Sequence, residues 1–264
     1  MGALSVRIIG RGRLGRGLAQ ALRSGGVEVR LVRGRTPGTA APGVPTILAV
    51  PDPAIATVAA AMIIERGAVV LHCSGRLSPD ALEVSQDVHR GAMHPLASFA
   101  DPKRPPTLAG TTFVIDGDEA AVAVALRLAK ACGARALVAP LHGPAYHAAA
   151  ALAANGAAAL AAIAVRVIRT LGVSQRDAQR AIGALLRTVG ENVAAVGVPR
   201  ALSGPVIRGD AATVHAHREA LAAVDPEARR AYDAVAPAIL ECAIGAGLDE
   251  EHAGAVRRAL RRRV

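Results

Sequence analysis

The chain has 264 residues, 52% hydrophobic but only 2% aromatic, enough to bury a core of Ala, Val, Leu and Ile and to form two domains. Its formal charge of +10 rests on 31 basic residues, all arginine except Lys103 and Lys130, and favours anionic ligands; two Phe and two Tyr cannot build a base-stacking platform, so no nucleic-acid partner is expected. Cys73, Cys132 and Cys242 are widely spaced and form no C-x-x-C, which argues against a disulfide scaffold or thiolate zinc site and suits a reducing cytoplasm.

Residues 6–15 read Val-Arg-Ile-Ile-Gly-Arg-Gly-Arg-Leu-Gly, an apolar strand running into Gly10, Gly12 and Gly15. A strand, a G-x-G-x-x-G turn and a helix form the phosphate cradle of a dinucleotide fold. The first glycine allows the tight turn, the second a close approach of the pyrophosphate, the third close packing of helix on strand. Gly10, Arg11, Gly12, Arg13, Leu14 and Gly15 are therefore expected to hold a cofactor on the free N–H groups of the helix start. The next strand, 27–32, ends at Arg33 where an NAD enzyme would place an acid. Arg33, Arg35 and Thr36 offer guanidinium forks and a hydroxyl to a 2′-phosphate, so NADP is the expected cofactor.

Further strands are expected at 46–50, 68–72, 91–93, 111–115 and 135–139. Asp52-Pro53 opens a helix through Ile64, Ser78-Pro79-Asp80 opens another, and Asp116-Gly-Asp118 precedes a third. This alternation predicts an α/β fold with a mainly parallel sheet covered on both faces. Pro51 and Ser74, just after the third and fourth strands, complete the expected cofactor set.

Beyond Pro140 the pattern is helical throughout. The expected division is a dinucleotide-binding domain over 1–140 and an all-helical substrate and dimerisation domain over 141–264. Ser174-x-x-Asp177 reads as a capping box, Asp210 as a helix cap, and Pro226 and Asp249 as two further starts. The run 144–171 is nearly uncharged and rich in alanine, so it predicts one long helix enclosed by neighbours or by a second copy of the chain. A homodimer is expected. His147, Asn155 and Gly156 within the run argue against a membrane span.

The polar candidates for chemistry stand in otherwise apolar or Gly/Pro-marked segments. His94 follows the fifth strand, at the carboxyl-terminal sheet edge where ligands gather. His147 and Asn155 would share a face of a regular helix, within about 80° of each other. Ser203 and Arg208 lie in a turn-rich loop that ends at Asp210. Each has a structural use as well: His94 could bond a backbone carbonyl, Asn155 could fix helix register, and Arg208 could pair with Asp210. The histidines show no metal-ligand spacing, so no metal is expected.

Gly10–Gly15, His72-Cys-Ser-Gly75, His94-Pro-Leu-Ala-Ser-Phe99, Gly117-Asp118, Tyr146-His-Ala-Ala149 with Asn155, and Ala201–Asp210 together resemble a group of Rossmann-like oxidoreductases whose C-terminal domain has no known function. The group is similar to pyrroline-5-carboxylate reductase, ketopantoate reductase and the β-hydroxyacid dehydrogenases. The resemblance implies a helical domain like the C-terminal domain of 6-phosphogluconate dehydrogenase, and NADP hydride chemistry in a cleft beside it. The lysine that hydroxyacid and ketopantoate relatives use has no counterpart here, since Tyr146 and His147 occupy that region, and a His or Tyr could protonate a carbonyl oxygen or imine nitrogen instead. The expected activity is hydride transfer between NADPH and a carbonyl or imine of a small anionic metabolite. His94 or His147 would supply the proton, with Asn155, Ser203 and Arg208 on the substrate. The alternative is an NADP-binding sensor or partner-binding protein without catalysis.

Overall fold

The computed structural model describes residues 4–34 and 37–261, and the chain divides into two compact units, 1–152 and 153–264. The first contains β1 (Ser5–Ile9), α1 (Arg13–Ser24), β2 (Glu28–Val32), β3 (Thr39–Ala40), β4 (Thr46–Leu48), α2 (Ile55–Ala60), β5 (Ile63–Ile64), β6 (Val69–His72), β7 (His89–Pro95), β8 (Thr112–Gly117), α3 (Glu119–Ala131), β9 (Arg135–Val138) and α4 (Pro144–Ala151). Seven strands form one sheet in the order β2-β1-β4-β6-β7-β8-β9. It is parallel from β2 to β7; β8 runs antiparallel to β7, and β9 parallel to β8. The mainly parallel sheet expected from the sequence is present.

Strand side chains alternate between faces, and here both faces are enclosed. Ile8, Ile47 and Leu71 join Leu18, Leu22, Phe113 and Leu128 in one buried cluster, whereas their neighbours Ile9, Leu48 and Val70 join Ile55, Leu82 and Val88 in another.

Two expected helices are shorter than the sequence suggests. The segment from Asp52 is a 3-10 turn over Asp52–Ala54 followed by α2, and Ile63–Ile64 leave it to pair with β3. β-Branched Ile63 and Ile64 suit an extended backbone. Asp52 does not cap that helix; its carboxylate pairs with Arg76 at 3.3 Å. The segment after Ser78 is a single 3-10 turn, Pro79–Leu82, ended by Glu83 at φ 51°. Asp118 does cap α3, accepting from Ala121 N at 3.0 Å.

The second unit is helical: α5 (Ala157–Thr170), α6 (Gln175–Val196), α7 (Ala211–Val224), α8 (Pro226–Gly245) and α9 (Glu250–Arg261). Ser174 accepts from Asp177 N at 3.1 Å and Asp210 from Thr213 N at 3.0 Å, as their positions predicted, while Asp225 caps α8. Val214, Leu240, Ala253 and Val256 form its core. The buried Arg218 guanidinium meets Asp233 at 2.8 Å, and Arg229 meets the same carboxylate at 2.7 Å.

The long apolar run is not one regular helix. A π-helical turn, Leu152–Gly156, separates α4 from α5 and contains Asn155, so the angular relation expected between His147 and Asn155 does not apply. Nor do the described residues enclose this run. Pro144–Thr170 is long and apolar enough to cross a membrane by length and composition, and only 6% of its most apolar window is buried. On α6 only Ala178 is buried.

Candidate active site

The glycine loop lies where the sheet changes direction. From β1 the chain passes to β2 on one side and returns to β4 on the other, so the carboxyl ends of β1 and β4 flank a topological switch point, where doubly wound sheets bind ligands. The ladder continues into it: Gly10 N donates to Val32 O at 3.0 Å, and Ala49 N to Ile9 O at 2.8 Å. Gly10 adopts φ 122°, and a Cβ there would run into the Ala49 carbonyl. A Cβ on Gly15 would run into the carbonyl of Gly10 itself. A Cβ on Gly12 would meet nothing within 4 Å, so the second glycine faces open space.

Gly12 is the residue before α1, and no side chain caps the helix or places an acid in its first turn. The first helical bond runs from Arg16 N to Gly12 O at 3.0 Å, which leaves the N–H groups of Arg13, Leu14 and Gly15 without an intrahelical acceptor. A bare, positive helix end beneath an open glycine fits the pyrophosphate of a dinucleotide. Arg11, beside it, shares a groove of about 420 Å³ with Arg16 and Arg23. Arg33 is exposed just past β2, and Arg35 and Thr36 lie outside the described residues. Pro51 is exposed at the end of β4.

Two strands along, the ends of β6 and β7 carry a second constellation. His72 is fully buried, and burial pushes its pKa down. Its Nδ1 accepts from Ser74 N at 3.2 Å, so Nε2 carries the proton and donates to Ser78 O at 3.0 Å. Ser74 Oγ accepts from the N–H groups of Arg76 and Leu77, both at 3.1 Å. The loop 73–78 is thereby wound around one imidazole and one hydroxyl. It presents Gly75 to His94: a Cβ on Gly75 would lie 2.6–2.9 Å from three atoms of the His94 ring. Cys73, inside this loop, is buried, and burial pushes its thiol up to about 12, which favours the protonated form.

His94 lies within β7, near its carboxyl end, and its Nδ1 is 2.7 Å from the hydroxyl of Tyr146 on α4. The two rings meet edge to face at 86°. Burial first, then His147, pushes His94 down to about 4, so the ring is neutral at physiological pH. Burial raises the Tyr146 hydroxyl. Downstream of His94, the Phe99 ring rests on Gly17 of α1, where a Cβ would be 2.7 Å away, and this ties the loop after β7 to the cradle helix.

Of the residues singled out in the sequence, the first unit brings together Ser74 and His94, with His147 exposed but near enough to act on the His94 charge. Asn155, Ser203 and Arg208 belong to the second unit, where all three are exposed. Arg208 favours the ionised form of Asp210, whose pKa is lowered mainly by Thr213. Gly75 and the Tyr146–His94 bond were not foreseen as site features. Gly75 had a signal in His72-Cys-Ser-Gly75, but the bond joins residues 52 apart and left none.

Residues 111–239 match the family described as a domain of unknown function, DUF2520. No curated protein matches the chain. Among solved structures, protein TM1727 of Thermotoga maritima is 25% identical, with a TM-score of 0.68 over 91% of this chain and 99% of its own. BF3122 of Bacteroides fragilis, provisionally named an NADP oxidoreductase, is 20% identical, with a TM-score of 0.68 over 90% of this chain and 98% of its own. Plasmodium falciparum pyrroline carboxylate reductase, solved with NADP bound, is 12% identical, with a TM-score of 0.58 over 96% and 99%. This chain carries the Rossmann-like fold of such oxidoreductases, and its residues 111–239 are similar to the DUF2520 domain of unknown function.

Proposed function

We propose that this protein is an NADP-dependent oxidoreductase, transferring a hydride between NADPH and a carbonyl or imine of a small anionic metabolite. One observation carries the reading: an open Gly12 and an uncapped helix start at the switch point, with His94 at the carboxyl end of a nearby strand of the same sheet. Similarity to a pyrroline carboxylate reductase solved with NADP supports it.

In this reading Gly10, Arg11, Gly12, Arg13, Leu14 and Gly15 hold the pyrophosphate, and Arg33, Arg35 and Thr36 hold the 2′-phosphate. Pro51 and Ser74 border the rest of the cofactor, which supplies the hydride when bound. His94 or His147 provides the proton, Asn155 orients the reacting group, and Ser203 and Arg208 bind the substrate's polar end. Residues 1–140 then serve the cofactor and 141–264 the substrate and the dimer contact, in a cytoplasmic enzyme. The homodimer reading is supported by the outward Leu and Val side chains of α5 and α6, since large exposed apolar patches mark interaction surfaces.

A screen of keto acids, hydroxy acids and cyclic imines for NADPH oxidation or NADP reduction tests the reaction. Turnover of one of these classes is expected. Tight NADPH binding with no turnover across the screen would replace the enzyme by a sensor.

A further inference from the structure

We infer that Tyr146 and His94 form a neutral proton relay, in which the Nε2–H of His94 gives the proton to substrate and Tyr146 replenishes it through Nδ1. The inference rests on the NADP-dependent reading above and deepens it at the same site.

The geometry supplies the direction of the bond. A phenol is a better hydrogen-bond donor than a neutral imidazole N–H, and an imidazole nitrogen a better acceptor than a phenol oxygen. Across 2.7 Å the proton therefore lies on Tyr146, pointing at His94 Nδ1. The remaining ring proton is then on Nε2, which meets no hydrogen-bond partner among the described residues and is free for a ligand. Gly75 backs the ring so closely that its orientation is held.

A histidine alone would serve poorly as an acid here. With His94 near 4, roughly one ring in a thousand is imidazolium at about pH 7. The groups that act on it are His147 on α4 and His72 on β6, which disfavour its charge, and Asp52 after β4, which favours it. Burial outweighs that one carboxylate. A neutral imidazole can still pass a proton if a second group restores the one it gives.

A bound NADPH would supply the hydride, its own C–H bond breaking as the substrate's forms, and the π pair of the C=O or C=N bond would move to the heteroatom. That atom takes the Nε2 proton of His94 while Nδ1 takes the hydroxyl proton of Tyr146. One N–H and one O–H bond break, and one bond from hydrogen to the substrate heteroatom and one Nδ1–H bond form. His94 stays neutral and Tyr146 is left as phenolate. The pair resets when Nδ1 returns its proton to the phenolate and Nε2 draws one from water.

The test uses the full chain with ring-¹⁵N histidine, with His94 assigned by its loss in His94→Asn. Between about pH 6 and 8 His94 should be a single Nε2–H tautomer with Nδ1 as acceptor, and Tyr146→Phe should mix the tautomers. An Nδ1–H tautomer, an imidazolium, or an unchanged spectrum in Tyr146→Phe would overturn the relay. In parallel, NADPH oxidation is followed with pyruvate and 1-pyrroline as probes. Tyr146→Phe should be slower by about 10²–10⁴-fold. Its rate should fall about tenfold per pH unit above about pH 5, because only imidazolium can then donate, while wild type stays flat. Parallel profiles for the two proteins would reduce Tyr146 to a structural role. NADPH affinity, measured on the same samples, separates the two readings. If wild type fails to bind NADPH the cofactor assignment falls, and the tautomer spectra still decide the relay.

Discussion

In the sheet unit, neighbouring residues such as Ile8 and Ile9 point to opposite faces and both are fully buried. In the helical unit, α6 runs for 22 residues and buries one, leaving Leu185 57%, Val193 44% and Val196 47% exposed. The first unit completes its core within one chain, and its strands carry adjacent apolar residues accordingly. The second has a core of its own around Val214 and Leu240, yet keeps apolar side chains on α5 and α6 that stay exposed among the described residues. Hydrophobic content therefore reads differently in the two halves: as interior in the first, and in part as exposed surface in the second.

The contrast breaks most readily at the cradle. Gly15→Val sets a side chain against the Gly10 carbonyl in a fully packed corner, and should cost about 3 kcal/mol or more, with loss of NADPH binding. Thermal unfolding and a cofactor titration would register both losses. Gly12→Val, facing open space, should leave the unfolding midpoint nearly unchanged and lose only the cofactor. If both variants lost stability equally, the open cradle would be misread.

On the helical side, Leu185→Glu combined with Val189→Glu should convert a dimer to a monomer in light scattering while the helical circular dichroism persists. A monomeric wild type, or a dimer indifferent to both charges, would remove the partner surface from the account.

A smaller effect separates the units by pH. Burial lowers His94 from 6.5 to about 4, so the unfolded chain binds a proton that the folded one resists. Its contribution to stability is complete above about pH 6.5 and is lost as pH falls towards about 4. His72 is shifted in the same direction. Unfolding midpoints between these limits should drop more steeply for wild type than for His94→Gln, and identical slopes would contradict the burial of this ring.

What could be read from the sequence was local. The strands around Ile8, Ile47 and Val70, the caps at Asp118, Ser174 and Asp210, and the glycine triplet each declare themselves within a few residues. The helix expected through Ile64 failed because β5 is defined by its partner β3, more than twenty residues upstream. The π turn at Asn155 interrupts an alanine-rich pattern that gives no warning of it. The Tyr146–His94 bond depends on the folded path between β7 and α4, which no spacing encodes.

An NADP site built on the glycine cradle and Arg33 can be probed by titrating the protein with NADPH and with NADH while following nicotinamide fluorescence. NADPH should bind more tightly than NADH, and Arg33→Asp should lose this preference by about tenfold or more while NADH binding is preserved. Equal affinities, a preference for NADH, or no binding of either would contradict it.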